Sequence, residues 1–308
     1  KAASNGHLDC LKFLDEHQCL WDNNLYISAV ASGHLNCIQY AYKQGLVWHP
    51  DVAEYAACLG HLKILQYAVE NGCLLNRNAT IMAASNGHAD CLQYLLLANC
   101  PCDSYAVSFA CELGQLECLK LLHQINGTLY WDATMTGAAA IGNQLECLQY
   151  LNENGCPWDV RTTNCAVSRG YIDVLKFALQ NNCPFTENIL LRAVRAVSIE
   201  GLQCFQYLLE VQNVPLSANN AEFAEAFLYG NHFVMQFLID QGAYNCKTCV
   251  LKETYLYDVM TVVCFLEQNC DEYDRNLLRC IVCAIASNWS LVFNGVGLRK
   301  FVFNNSTR

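Results

Sequence analysis

One short phrase recurs along the chain, and its period constrains the fold more than any other feature. It first reads Ala-Ala-Ser-Asn-Gly-His-Leu-Asp-Cys-Leu-Lys-Phe-Leu over Ala2–Leu14. It returns around Gly33, Gly60, Gly87 and Gly114 at a spacing of 27 residues, then with small slips around Asn143, Gly170, Glu200, Gly230 and Asp258. A period of about 20–50 residues marks a stacked array in which each copy is one layer. A layer buries its apolar face only against its neighbours, so the array grows without needing a second core. The 308 residues therefore predict a single solenoid over 1–308, with degenerate closing repeats and a cap at 259–308. The chain opens at Lys1, inside a copy, and is read as a fragment of something longer.

Each copy reads as two helices. Asp22 precedes Asn23-Asn24-Leu25-Tyr26-Ile27-Ser28-Ala29 and suits an N-cap, whose carboxylate accepts the free N–H groups of a first turn. Asp103, Asp132, Asp159, Thr186 and Ser217 hold the same place, and His49-Pro50 offers a proline for the first helical position. Alanine stands four residues before each step residue, at Ala2, Ala29, Ala56, Ala83, Ala110, Ala139, Ala166, Ala196 and Ala226. Such a column predicts closely packed first helices. Each of these ends at the step glycine, which can turn left-handed, with Asn143 a suitable substitute. The second helix carries Leu35, Cys37, Ile38, Tyr40 and Ala41 at a period near 3.6. Trp21, Trp48 and Trp158 recur before the caps and are expected as plugs between layers.

The repeat also explains most of the 21 cysteines. Cys10, Cys37, Cys91, Cys118, Cys147 and Cys204 share one position, where other copies carry Ile64, Val174, Val234 and Val262. A site that accepts Ile or Val is a packing site, and free cysteine behaves there as a small hydrophobe. Stacked helices lie about 8–10 Å apart, beyond the roughly 7 Å that a disulfide tolerates between Cα atoms. Reduced thiols are expected, and with them an intracellular setting, cytoplasmic or nuclear. Apolar residues are 54% of the chain and charged residues 15%, too apolar for disorder. The longest apolar run, Cys280–Ala286, is too short to span a bilayer. A net charge of −10 without a basic cluster argues against nucleic acid and anionic membranes as partners.

These residues resemble the ankyrin repeat family. Its pattern pairs Thr-Pro-Leu-His-x-Ala-Ala with Gly-His-Leu and an apolar second helix. The chain matches at Ala2–Leu8, Ala83–Ala89, Gly33-His34-Leu35 and Gly60-His61-Leu62. It departs where Asn24-Leu25-Tyr26-Ile27 replaces Thr-Pro-Leu-His, and in a period of 27 where the family standard is 33. Aligned from Gly-His-Leu to the Asp cap, the missing residues fall where the family carries its β-hairpin fingers. The expected fold is an all-α solenoid of about 10–11 short helix-turn-helix repeats with reduced or absent fingers. Cysteine-rich short repeats of this kind resemble arrays of giant viruses and protists.

Chemistry-bearing patterns are few. His7, His34, His61 and His88 form a column one layer apart, too far for a shared metal, and read as helix-start residues bonding loop carbonyls. Cys246-Lys-Thr-Cys249 and Cys280-Ile-Val-Cys283 are the remaining metal candidate, on first helices of neighbouring late copies. No Gly-rich phosphate loop, His-Glu-x-x-His or Gly-x-Ser-x-Gly motif occurs. The expectation is a monomeric, cofactor-free, non-enzymatic scaffold for a protein partner. Two alternatives stand beside it: the recognition arm of a ubiquitin-ligase adaptor with an F-box-like module upstream, and a zinc-stabilised or redox-responsive array.

The resemblance implies where a partner would bind. In ankyrin proteins the residues just before the step glycine face the concave surface. Here these are Ser4, Asn5, Ala31, Ser32, Cys58, Leu59, Ser85, Asn86, Glu112, Leu113, Ser168, Arg169, Leu228 and Tyr229. Leu256 and Tyr257, one copy beyond Leu228 and Tyr229, extend the most apolar stretch of this column.

Overall fold

The computed structural model describes residues 1–19, 21, 24–127, 131–217 and 221–241. Among them the regular structure is entirely helical, without a strand. A turn at residues 2–6 leads into α1 (Leu8–Glu16). Helix pairs follow: α2 (Asn24–Ala31) with α3 (Leu35–Lys43), α4 (Val52–Cys58) with α5 (Leu62–Glu70), α6 (Arg77–Ser85) with α7 (Ala89–Leu97), and α8 (Ser104–Glu112) with α9 (Leu116–Asn126). Then come α10 (Ala133–Ile141) with α11 (Leu145–Glu153), α12 (Val160–Arg169) with α13 (Ile172–Gln180), α14 (Ile189–Arg195) with α15 (Ile199–Gln206), and α16 (Ala221–Leu228) with α17 (His232–Asp240). Short segments such as Asn71–Asn76 and Ala98–Asp103 join one pair to the next, where fingers would stand.

The contacts divide into two compact units, Lys1–Ala166 with Asp173–Phe185, and Val167–Ile172 with the chain from Thr186 on. In the first unit α2, α4, α6, α8 and α10 pack side by side in chain order, and α1, α3, α5, α7, α9 and α11 do the same behind them. In the second unit α14 packs on α16 and α15 on α17. The alanine column makes the first row possible. Ala29, Ala56, Ala83, Ala110 and Ala139 are fully buried, where a larger side chain would force neighbouring helices apart.

The first helices α2, α4, α6, α8 and α10 stop in the same way. The N–H of His34, His61, His88, Gln115 and Gln144 donates to the carbonyl of Ala29, Ala56, Ala83, Ala110 and Ala139 respectively, at 2.8–2.9 Å. This is the bond that closes a helix around a left-handed residue. Gly60 takes that conformation at φ +72, and Asn143 takes it at φ +59 as expected.

Several local expectations are corrected. Asp103, Asp132 and Asp159 accept N–H groups of the first turn from Tyr105, Thr134 and Arg161, as predicted. Asp22 lies outside the described residues. Pro50 sits in a turn before the cap, because α4 begins at Val52 behind Asp51. Thr186 heads a turn whose carbonyl accepts Ile189 N–H, and Asn188 precedes α14. Ser217 gives both its N–H and its hydroxyl to the buried carboxylate of Glu222.

The step expected at Glu200 is displaced: Glu200 lies inside α15, behind the cap Ser198. The buried pair Ala193-Val194 takes the place of Ala83-Ala84, so Ala193 rather than Ala196 belongs to the alanine column. Cys204 had set the wrong register. This copy carries extra residues in its second helix, which runs on past Gln206 through a π-turn at Tyr207–Val211.

Candidate functional site

The histidine column is a clasp between layers. A Cβ added to Gly60 would come within 2.5 Å of the His88 ring, so the imidazole of one layer lies on the step glycine of the layer before. His34 and His61 lie in the same way on Gly6 and Gly33, and Gln115 and Gln144 on Gly87 and Gly114. His88 Nε2 lies 3.0 Å from the Cys58 carbonyl, the loop bond that the sequence suggested. Burial, with a smaller effect of nearby His88, holds His61 below its ordinary pKa. In the second unit Asn231 does the same work: it is fully buried and donates to the Val194 carbonyl at 2.7 Å.

The thiols are also built in. Cys37, Cys91, Cys118 and Cys147 are buried, and Cys118 Sγ points at the Ala83 carbonyl of the preceding layer. Cys10, on the same position, is exposed instead. A second thiol set was not singled out by the sequence. Cys100, Cys156 and Cys183 donate to the carbonyls of Asn76, Asp132 and Asp159 at 3.2–3.5 Å, tying the end of a second helix to the start of its own first helix. Thr80 and Thr163 add hydroxyl bonds to the carbonyls of Pro101 and Pro184 at 2.8–2.9 Å, and Tyr26 reaches Leu46 O likewise. The signal was present as Thr followed by Cys-Pro at a fixed separation.

The tryptophans are half-buried rather than fully buried, and Trp48 does stand between layers, with Tyr67 and Asn71 of the next layer beside it. Trp48 lies between Tyr26 and Tyr42, with ring centroids 4.7 and 5.1 Å away, and donates to Asn71 O at 2.9 Å. Its polar nitrogen keeps it at the edge of the layer.

With these columns accounted for, the residues predicted to bind stand at the C-terminal ends of first helices. Asn5, Ala31, Ser32, Leu59, Asn86, Leu113, Ser168, Arg169 and Tyr229 are exposed, and Ser4, Cys58, Ser85 and Glu112 are half-buried. Arg195 lies over the Tyr229 ring, 5.5 Å from its centroid. The Leu228 side chain, Leu256 and Tyr257 lie outside the described residues. Besides Tyr229, exposed apolar side chains recur along α4 and α8 and at the C-caps of both helices. Tyr55 and Leu59 stand on one, Tyr105, Phe109 and Leu113 on the other. The aromatic members were missed by the sequence reading, although Tyr55, Tyr105 and Phe109 precede Leu59 and Leu113 at helical spacings of four.

A family model described as ankyrin repeats (3 copies) matches residues 53–130 and 80–164. Residues 53–164 of the chain are ankyrin repeats. Ankyrin repeats as a family are protein-interaction modules and generally non-catalytic. Among solved structures, the human ASB11 ankyrin repeat domain is similar at 21% identity and a TM-score of 0.44, covering 51% of this chain and 82% of that one. The search of curated proteins found no match.

Among the described residues no group of three His, Cys, Asp or Glu side chains comes together as a metal site. Cys246, Cys249, Cys280 and Cys283 lie outside them. No helix of the described residues is long and apolar enough to cross a membrane.

Proposed function

We propose that this protein is a non-enzymatic scaffold that holds a protein partner on the exposed face of its first helices. One observation carries the reading. The columns that repeat are consumed by packing and clasping, while the residues beside the step glycines vary and remain exposed: Ser32, Leu59, Asn86 and Leu113 occupy one column in successive copies. Scattered apolar surface is normal, but a contiguous cluster of aromatic and aliphatic side chains marks interaction surfaces.

Site-specific photocrosslinking tests it. A benzoyl-phenylalanine placed at Asn86 or Leu113 is expected to capture a discrete partner from extracts. The same probe at Gln93, exposed on the second helix α7, is expected to capture none. Equal capture from both faces, or capture from Gln93 alone, would contradict the reading.

A further inference from the structure

We propose that the partner is an amphipathic helix with basic flanks, seated in the groove that α4, α6 and α8 form. The inference rests on the reading of this face as the interaction surface and specifies what it takes.

The groove follows from three adjacent helices. On each of these three helices the same three positions face outward at spacings of four residues. On α4 they include Tyr55 and Leu59, 42% and 40% exposed. On α8 they are Tyr105, Phe109 and Leu113, 59%, 39% and 50% exposed. Between them α6 carries Asn78, Met82 and Asn86. Both asparagines lie down: Asn78 Nδ2 donates to Glu54 at 3.2 Å, and Asn86 Nδ2 donates to the Met82 carbonyl at 2.9 Å. The middle helix is therefore a low floor between two apolar ridges. Two interaxial steps of about 8–10 Å separate the ridge helices by roughly 16–20 Å. A helix with its side chains is about 10–12 Å across, so one helix fits between the ridges with apolar contact on both flanks.

Charge selects the occupant. The first helices α2, α4, α6, α8 and α10 contain a single cation, Arg77, and it pairs with Asp103 at 3.5 Å. Glu54 and Glu112 stand on the two ridge helices. A partner that presents an apolar stripe at helical spacing, flanked by Lys or Arg, matches both features, as helix-in-groove recognition requires. A second copy of this chain would bring the same two glutamates against each other, on a molecule of net charge −10.

Fluorescence anisotropy with defined probes decides it. The probes are a 20-residue Leu/Lys peptide with an apolar helical stripe, its Leu/Glu counterpart, and a scrambled Leu/Lys peptide without the stripe. The striped basic peptide is expected to bind at least about tenfold more tightly than either control. Tyr105→Ser, a change at a surface position, and the double change Phe109→Ser with Leu113→Ser are expected to weaken it about tenfold. Glu112→Lys is expected to weaken it, whereas Leu74→Ser and Glu153→Lys, on exposed sites away from the groove, leave it unchanged. Thermal melts by circular dichroism confirm that each variant folds. Equal binding of the charge-reversed or scrambled peptide overturns the inference, as does indifference to Tyr105→Ser in a folded variant. Dimerisation through this face, read by sedimentation and abolished by Tyr105→Ser, overturns it too. Crosslinking from Asn86 without charge selectivity would sink the helix-and-charge inference alone and leave the scaffold reading standing.

Discussion

Single atoms decide several positions in this chain. Gly60 combines a left-handed backbone with the His88 ring lying on it. Gly60→Ala is expected to cost about 2–3 kcal/mol, from the conformational penalty of about 1–2 kcal/mol and the displaced ring. Gly142 is constrained differently. Its φ is ordinary, but a Cβ there would overlap the Glu112 carbonyl oxygen of the layer before. Backbone cannot move aside as a side chain can, so Gly142→Ala is expected to lower the melting temperature more than Gly155→Ala. A Cβ at Gly155 meets open space and only the left-handed φ opposes it. Comparing the two melts checks this, and equal losses would refute the close approach. The thiols answer to burial. It pushes Cys91, Cys118 and Cys147 from 9.0 up to about 11, and Cys183 up to about 12. A pKa raised by folding contributes stability that is whole below the unfolded value and lost as pH rises through the folded one. The fold should therefore hold steady below about pH 9 and weaken from there toward pH 11–12. Iodoacetamide labelling resolved by peptide mass spectrometry should modify exposed Cys10 and Cys19 first and Cys118, Cys147 and Cys183 last. Similar rates for the two groups would contradict the packing assigned to them.

At the scale of helices, the sequence made legible what recurs with a strict period. The alanine column, the aspartate caps and the second-helix stripe are short-range patterns, and each was read from spacing alone. The Glu200 copy was not legible in the same way. Cys204 there is buried, like Cys91, but one turn further along its helix, and residue type could not reveal that this helix runs on through a π-turn. The Thr and Cys-Pro clasp escaped notice because it joins positions that meet only after the pair has folded. Its energetic weight is testable. Thr163→Val keeps shape but leaves the Pro184 carbonyl without its hydroxyl donor, which should cost about 1–2 kcal/mol in urea unfolding. No measurable change would show the clasp to be incidental. The interaction face was half legible. The family resemblance pointed to residues such as Leu59 and Leu113, but Tyr55, Tyr105 and Phe109 stood among alanines that read simply as helix interior.

At the scale of the whole molecule, the central claim is that repeated residues build layers which support only their neighbours. Stability then approximates a sum of layer and interface terms, unlike that of a globular core. The most direct test is hydrogen exchange by mass spectrometry on Gly142→Ala beside the unaltered protein. The substitution lies between α8 and α10, so protection should fall chiefly in α8–α11 while α2–α5 keep theirs. A uniform loss of protection from α2 to α11 would contradict the layered account.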